Sequence, residues 1–196
     1  MTFDELVAEV YLLTNRPDLE AETKSAVKRA TLKAHQTDFY SKDIYESGIE
    51  FPTADYRQSL DYITLFSNFR ALKYLRRVED ENDDVGKFFD IVQPEEVLDA
   101  YGRNRNDIAY VAGRVLEIRS SVSFSKALLG AYVLPIVREG AYLSWVAEQH
   151  PYAIVFEAAR VIFKSIGFDE ESAQYNQLVA EEYNLLKMSA LSDVGY

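Results

Sequence analysis

Thirty residues, Ile108 to Val137, restrict the fold more than any other part of the chain: IAYVAGRVLEIRSSVSFSKALLGAYVLPIV. Three apolar runs are separated by turn-like residues. The run 108–112 meets Gly113, which can take the positive φ of a tight corner. Over 114–119 the chain alternates, with Val115, Glu117 and Arg119 on one side and Leu116 and Ile118 on the other. Ser120 to Ser125 reads as a polar break. Leu128 to Val137 is the third run, and Pro135 near its end marks an edge strand or an exit from the sheet. This spacing predicts an antiparallel meander with one buried face.

The flanks carry helical periodicity instead. Thr2 with Glu5 forms a capping-box signature, and Phe3, Leu6, Val7, Val10 and Leu13 share one helix face. After Pro17, Asp18 is the expected cap of a second helix reaching about Thr37, with a narrow Ala-rich face. Its Lys24, Lys28, Arg29 and Lys33 read as a solvated face rather than a phosphate or acidic-partner contact. Near the C-terminus, Pro151 opens a helix with a wide apolar band that Gly167 stops. Asp169 caps a last helix expected to end near Ala190.

Between these pairs the sequence predicts a strand or loop at 43–52 and a strand at 56–66. Another strand, 69–78, turns at the acidic residues 79–84 and returns over 87–92 as a hairpin. A short helix is expected at 94–102. The expected fold class is therefore α+β: a helical bundle from the N- and C-terminal helix pairs, with an inserted antiparallel β domain. The bundle takes residues 1–40 and 148–196, and the insertion takes 41–147.

Totals exclude several functions. With no Cys there are no disulfides and no thiolate metal sites. The opening MTFDEL lacks a basic and apolar leader, so no signal peptide is expected, and no apolar run is long enough to predict a membrane span. A net charge of −11 without a basic stripe argues against gripping nucleic acid. Asp80, Asn82 and Asp84 alternate as in a calcium loop, but Val85 stands where the loop needs Gly and Ile91 where it needs Glu. His35 lacks an evident partner, and Glu148 beside His150 is the nearest approach to an acid–base cluster. No catalytic, cofactor-binding or metal-binding residues are predicted, and no cofactor is expected.

Five short stretches resemble the head-to-tail adaptor (connector) proteins of tailed phages. They are TNRPDL (14–19), ATLKAH (30–35), YVAGRVLEIRSS (110–121), GAYVLPIV (130–137) and SWVAEQHP (144–151). The resemblance implies a virion structural protein at the phage neck, assembled in the cytoplasm of the bacterial host. It implies a self-assembled ring, commonly of twelve copies, between the portal protein and the tail or tail-completion proteins. DNA would pass through the channel without specific binding. In such proteins the C-terminal segment reaches the portal, which points to Lys187, Met188, Leu191, Val194 and Tyr196 as the portal-binding strip. Two other classes stay open at this level: a virion-associated cell-wall hydrolase, and a small binding module that forms no ring.

Overall fold

A computed structural model describes residues 1–78 and 86–192, the last two by their backbone alone. The protein is mixed α/β and divides into two units, Met1–Asp43 with Leu134–Tyr196, and Ile44–Val133. The division after Val133 gives 134–147 to the helices. Tyr142, Val146 and Ala147 of that segment pack into the helical core.

In the helical unit, α1 (Phe3–Thr14) starts on a complete capping box. Thr2 Oγ1 accepts the Glu5 amide at 3.3 Å, and the Glu5 carboxylate accepts the Thr2 amide at 2.8 Å. Asn15 closes the helix at φ 51°. Asp18 does not cap the next helix. Its carboxylate is taken by the Arg16 guanidinium through two 2.8 Å hydrogen bonds, and α2 (Glu20–Gln36) starts after Leu19 with no side-chain cap.

The small residues Ala26, Ala30 and Ala34 of α2 are buried, as are Ala158 and Ala159 of α5 (Pro151–Ser165). Leu6 and Val10 of α1, Val27 of α2, Ile154, Val155 and Ile162 of α5 and Leu186 of α6 (Asp169–Ser192) complete one core. The short α4 (Trp145–Gln149) adds Val146 and Ala147. Each fully buried Leu, Ile or Val in this set contributes about 1.5–3 kcal/mol.

The other unit is a five-stranded sheet: β1 (Ile44–Asp61), β2 (Phe69–Arg77), β3 (Asp90–Ile91), β4 (Ile108–Ala112) and β5 (Val115–Val133). Gly113, at φ 64°, turns β4 into β5, as its position predicts. The expected third strand is not separate. Ser120 to Ser125 contains no Gly, Pro, Asn or Asp to turn the chain, so β5 runs unbroken for 19 residues. The polar stretch instead marks an irregularity. Inward residues change from Leu116, Ile118, Ser120 and Phe124 to Ala127, Leu129 and Ala131, and pairing with β1 is disturbed between Glu50 and Arg57.

β5 pairs antiparallel with β1, β2 and β4. Past Val133 the chain leaves the sheet near Pro135.

Three further expectations change. The strand over 56–66 stops at Asp61, whose carboxylate accepts the Ile63 amide and starts the short helix α3 (Tyr62–Leu65). The helix over 94–102 shrinks to a 3-10 turn, Pro94–Val97, because Leu98 bridges to Asn104. The return over 87–92 pairs with β2 only around Phe88, and β3 then runs parallel to β4. The hairpin tip with Asp80, Asn82 and Asp84 lies outside the described residues.

Val155 is fully buried in the helical core. Val155→Asp should cost about 3 kcal/mol or more, because an unpaired carboxylate cannot be accommodated there. Thermal unfolding should show a large fall in Tm, and wild-type-like melting would contradict this packing.

Candidate functional site

His35, in the last turn of α2, is the centre of a buried polar network. Its Nδ1 lies 2.7 Å from Asp43 Oδ1, and its Nε2 lies 2.9 Å from Ser144 Oγ. The three residues are 2, 5 and 4% exposed. Trp145 Nε1 also donates to Asp43 Oδ1, at 2.7 Å. A carboxylate only accepts, so His35 donates from Nδ1.

On the other side of the ring, Ser144 Oγ accepts the Ala147 amide at 3.2 Å and thereby caps α4. Tyr142 joins the same network. Its hydroxyl is 2.8 Å from Thr31 Oγ1, which donates to the Val27 carbonyl at 2.9 Å. Burial raises the Tyr142 pKa against the lowering effect of hydrogen bonds to Thr31 and Ser144. The Trp145 ring meets His35 and Tyr40 edge-on, at 5.5 and 5.2 Å between centroids.

The order Ser144–His35–Asp43 is that of a hydrolase relay, with the imidazole nitrogens in the matching roles. Ser144 borders an open cleft of about 500 Å³ lined by Met1 to Glu5, Gly140 to Ser144 and Glu148. Its hydroxyl is nevertheless committed. Ser144 is 4% exposed and its Oγ accepts the Ala147 amide that starts α4, so the hydroxyl is enclosed within the fold. The group is built to hold α2, the turn at Ser41–Asp43 and α4 in one arrangement.

The sequence gives no direct sign of this network. Asp43 is eight residues from His35, and Ser144 is 109 away. The one available signal is Ser144 itself, a helix-capping residue placed directly before an apolar run. Glu148 and His150 behave separately: Glu148 lines the cleft, and the His150 ring stands edge-on to Trp145 at 6.5 Å.

The basic residues of α2 are largely engaged within their own unit. Lys24 pairs with Glu20, Lys28 with Glu139, and Lys33 with the buried Glu157 at 2.7 Å. Burial raises the Glu157 pKa, but hydrogen bonds from Arg160 and Lys33 outweigh it and leave the carboxyl below its ordinary range. Of the predicted portal strip, Lys187 and Met188 are exposed on α6. Leu191 lies within the helix backbone, and Val194 and Tyr196 lie outside the described residues. Among the described residues, no His, Asp or Glu group could hold a metal ion, and no helix is long and apolar enough to cross a membrane.

A second polar centre sits in the sheet unit. Asp107, at φ 57°, accepts Lys87 Nζ at 2.8 Å and both the amide and hydroxyl of Ser121 at 2.9 Å. Burial raises its pKa, yet the hydrogen bonds from Lys87 and Ser121 prevail and lower it to about 2. The anchored carboxylate fastens the polar stretch of β5 where regular pairing with β1 fails.

No protein-family model matches the chain, and no curated protein matches it.

Two predictions follow from these networks. His35→Ala leaves Asp43 buried with Trp145 as its remaining hydrogen-bond donor and should cost about 1–3 kcal/mol in denaturant unfolding, with a shifted fluorescence maximum for Trp145. Asp107 holds its proton less tightly folded than unfolded, so its stabilisation is complete above about pH 4 and is lost as the pH falls toward 2. Allowing for screening by solvent, Asp107→Asn should cost about 1–2 kcal/mol at neutral pH and about 0.5 kcal/mol or less near pH 2. An equal cost at both pH values would contradict this role.

Proposed function

We propose that the chain is a virion structural subunit, a head-to-tail adaptor that forms a ring between the portal and the tail of a tailed phage. The helical unit is read as the bundle that carries the inserted β domain. Assembly takes place in the bacterial cytoplasm, and the finished ring extends the DNA channel at the virion neck.

The observation that carries the reading is where the resembling stretches meet. ATLKAH supplies Thr31 and His35, and SWVAEQHP supplies Ser144, Trp145 and Ala147, all of one buried network. Two of the five resembling stretches thus meet in residues that build the helical unit, and YVAGRVLEIRSS lies in β4 and β5 of the sheet unit, as expected of a structural family signature. The most reactive-looking constellation in the chain serves the fold, which favours a structural role over a hydrolase. Large exposed apolar side chains supply contact area for partners, among them Tyr45, Tyr56, Phe88 and Tyr101 in the sheet unit and Leu185 and Met188 on α6.

The portal contact is assigned to the end of α6 and the residues after it: Lys187, Met188, Leu191, Val194 and Tyr196. Leu191 and Tyr196 are the largest apolar groups after Met188, so the receiving groove is expected to bury both. Electron microscopy of the protein mixed with a purified portal ring tests the assembly, and a density ring on the portal is the expected result. Deleting residues 191–196 should leave the melting curve unchanged and weaken docking at least tenfold. Undiminished docking would move the contact elsewhere. Duplex DNA should bind more weakly than micromolar at physiological salt, because the α2 lysines are already paired with carboxylates. Submicromolar binding with a steep salt slope would contradict a non-adhesive channel.

A further inference from the structure

We infer that copies of this chain join through their sheets, the open edge of β1 in one copy pairing with the outer edge of β2 in the next. This rests on the ring reading above and names its lateral contact. β1, 18 residues long, is a sheet edge: among the described residues it pairs with β5 alone, over Ile44–Glu50, at Asp55 and over Arg57–Asp61. An edge of that length presents a row of unpaired amide and carbonyl groups, which is a template for another strand. Disturbed pairing between Glu50 and Arg57, with Pro52 inside it, divides β1 into two regular parts, of which Ile44–Glu50 lies beside the β5 residues that β2 also pairs. On the far side of β5, β2 is bridged by Lys87–Phe89 only at its C-terminal end. Among the described residues, no strand pairs with the outer side of Phe69–Tyr74.

These two edges lie at the same height. Ile44–Glu50 faces Tyr132 back to Lys126 of β5, and Ala71–Arg77 faces Tyr132 back to Ala127. Both strands run antiparallel to β5 and therefore parallel to each other. Copies repeated about a ring axis keep that direction, so β1 and the next β2 would form a parallel pair. Using two different edges makes the contact heterologous, the kind that closes into a ring.

Charge selects the partner. β1 carries Glu46, Glu50, Asp55 and Asp61 against the single base Arg57, whereas β2 carries Arg70, Lys73 and Arg76 and no acid; its fourth base, Arg77, is buried beside Asp107 and takes no part. Two β1 edges side by side would oppose like charges, while β1 beside β2 opposes unlike ones. The faces also agree. The Tyr74 hydroxyl donates to Glu46 across Gly130, and the irregularity between Leu72 and Tyr74 places Lys73 over the Tyr132 ring on that same face. Lys73 of one copy is thus directed to the face that displays Glu46 and Glu50 in the next.

Charge reversal tests this in the full chain. One variant carries Glu46→Lys and Glu50→Lys, and the other carries Arg70→Glu and Lys73→Glu; circular dichroism melts establish that each is folded. In sedimentation velocity, each alone should lose at least tenfold in self-association. An equimolar mixture should recover it, because each supplies the edge the other needs. A second measurement does not rely on those charges. The chain has no native Cys, so Glu46→Cys with Lys73→Cys should give a ladder of disulfide-linked multimers on oxidation.

Rings formed equally well by both charge-reversed variants, or no ladder from an assembled double-cysteine protein, would overturn the edge pairing and leave the adaptor reading standing. A wild-type protein that stays a single chain at high concentration, with and without a portal ring, would overturn both.

Discussion

One carboxylate holds the helical unit in its arrangement. Asp43 is buried; its Oδ1 takes two hydrogen bonds, and its Oδ2 is buried without a partner among the described residues. Its partners, His35 and Trp145, come from α2 and from the start of α4. Asp43 is also the last residue of the first helical segment, and Ser144, on the other side of His35, lies ten residues past Leu134, where the chain rejoins this unit. The network therefore ties the point of departure to the returning segment. An apolar cluster could supply similar stability, but Leu and Val contacts tolerate sliding. Hydrogen bonds at both imidazole nitrogens fix one register of α2 against α4.

In the sheet unit the corresponding constraint is β5. Strands β1, β2 and β4 hydrogen-bond to it, and only β3 is joined through β4. A strand of that length must twist, and the irregularity opposite Glu50–Arg57 is where the inward face changes parity. Polar Ser120, Ser121 and Ser123 suit that position because their hydroxyls and amides can find partners other than the ladder. Asp107 and Arg77 provide them on the β4 side: Asp107 bonds Ser121, and Arg77 Nη1 bonds Ser120 Oγ at 3.2 Å. Close packing takes over further along, where Gly130 leaves room for the Tyr74 ring and a Cβ at that position would collide with it.

Much of this was legible in the sequence where the determinants are local. The capping box of α1, the Gly113 corner, Pro151 at the start of α5 and the Gly167 stop all depend on residues within one turn of each other. Asp18 failed as a cap because a closer cation, Arg16, competed for the carboxylate. The Ser120–Ser125 break misled because polarity was read as a turn, although no residue there favours one. The network around His35 was beyond reach for another reason. Its members are separated by up to 109 residues, and only the tertiary packing of α2 against the returning segment brings them together. The parity change in β5 was equally hidden, since it depends on the partner strand.

A net charge of −11 appears at first to forbid assembly of identical copies. Range resolves the difficulty. At physiological salt, exposed charges are screened beyond about 8 Å, so the summed repulsion between two acidic copies is weak at distance. Strands in a shared sheet lie about 5 Å apart, inside that screening length, and there the local distribution decides. In this chain the distribution is uneven: β2 carries four bases and no acid along its own length, and β1 carries four acids and one base. On the proposed edge pairing, the acidity of the chain disfavours approaches that set like charges side by side, and the contact of β1 with β2 is the one in which strands of unlike charge meet.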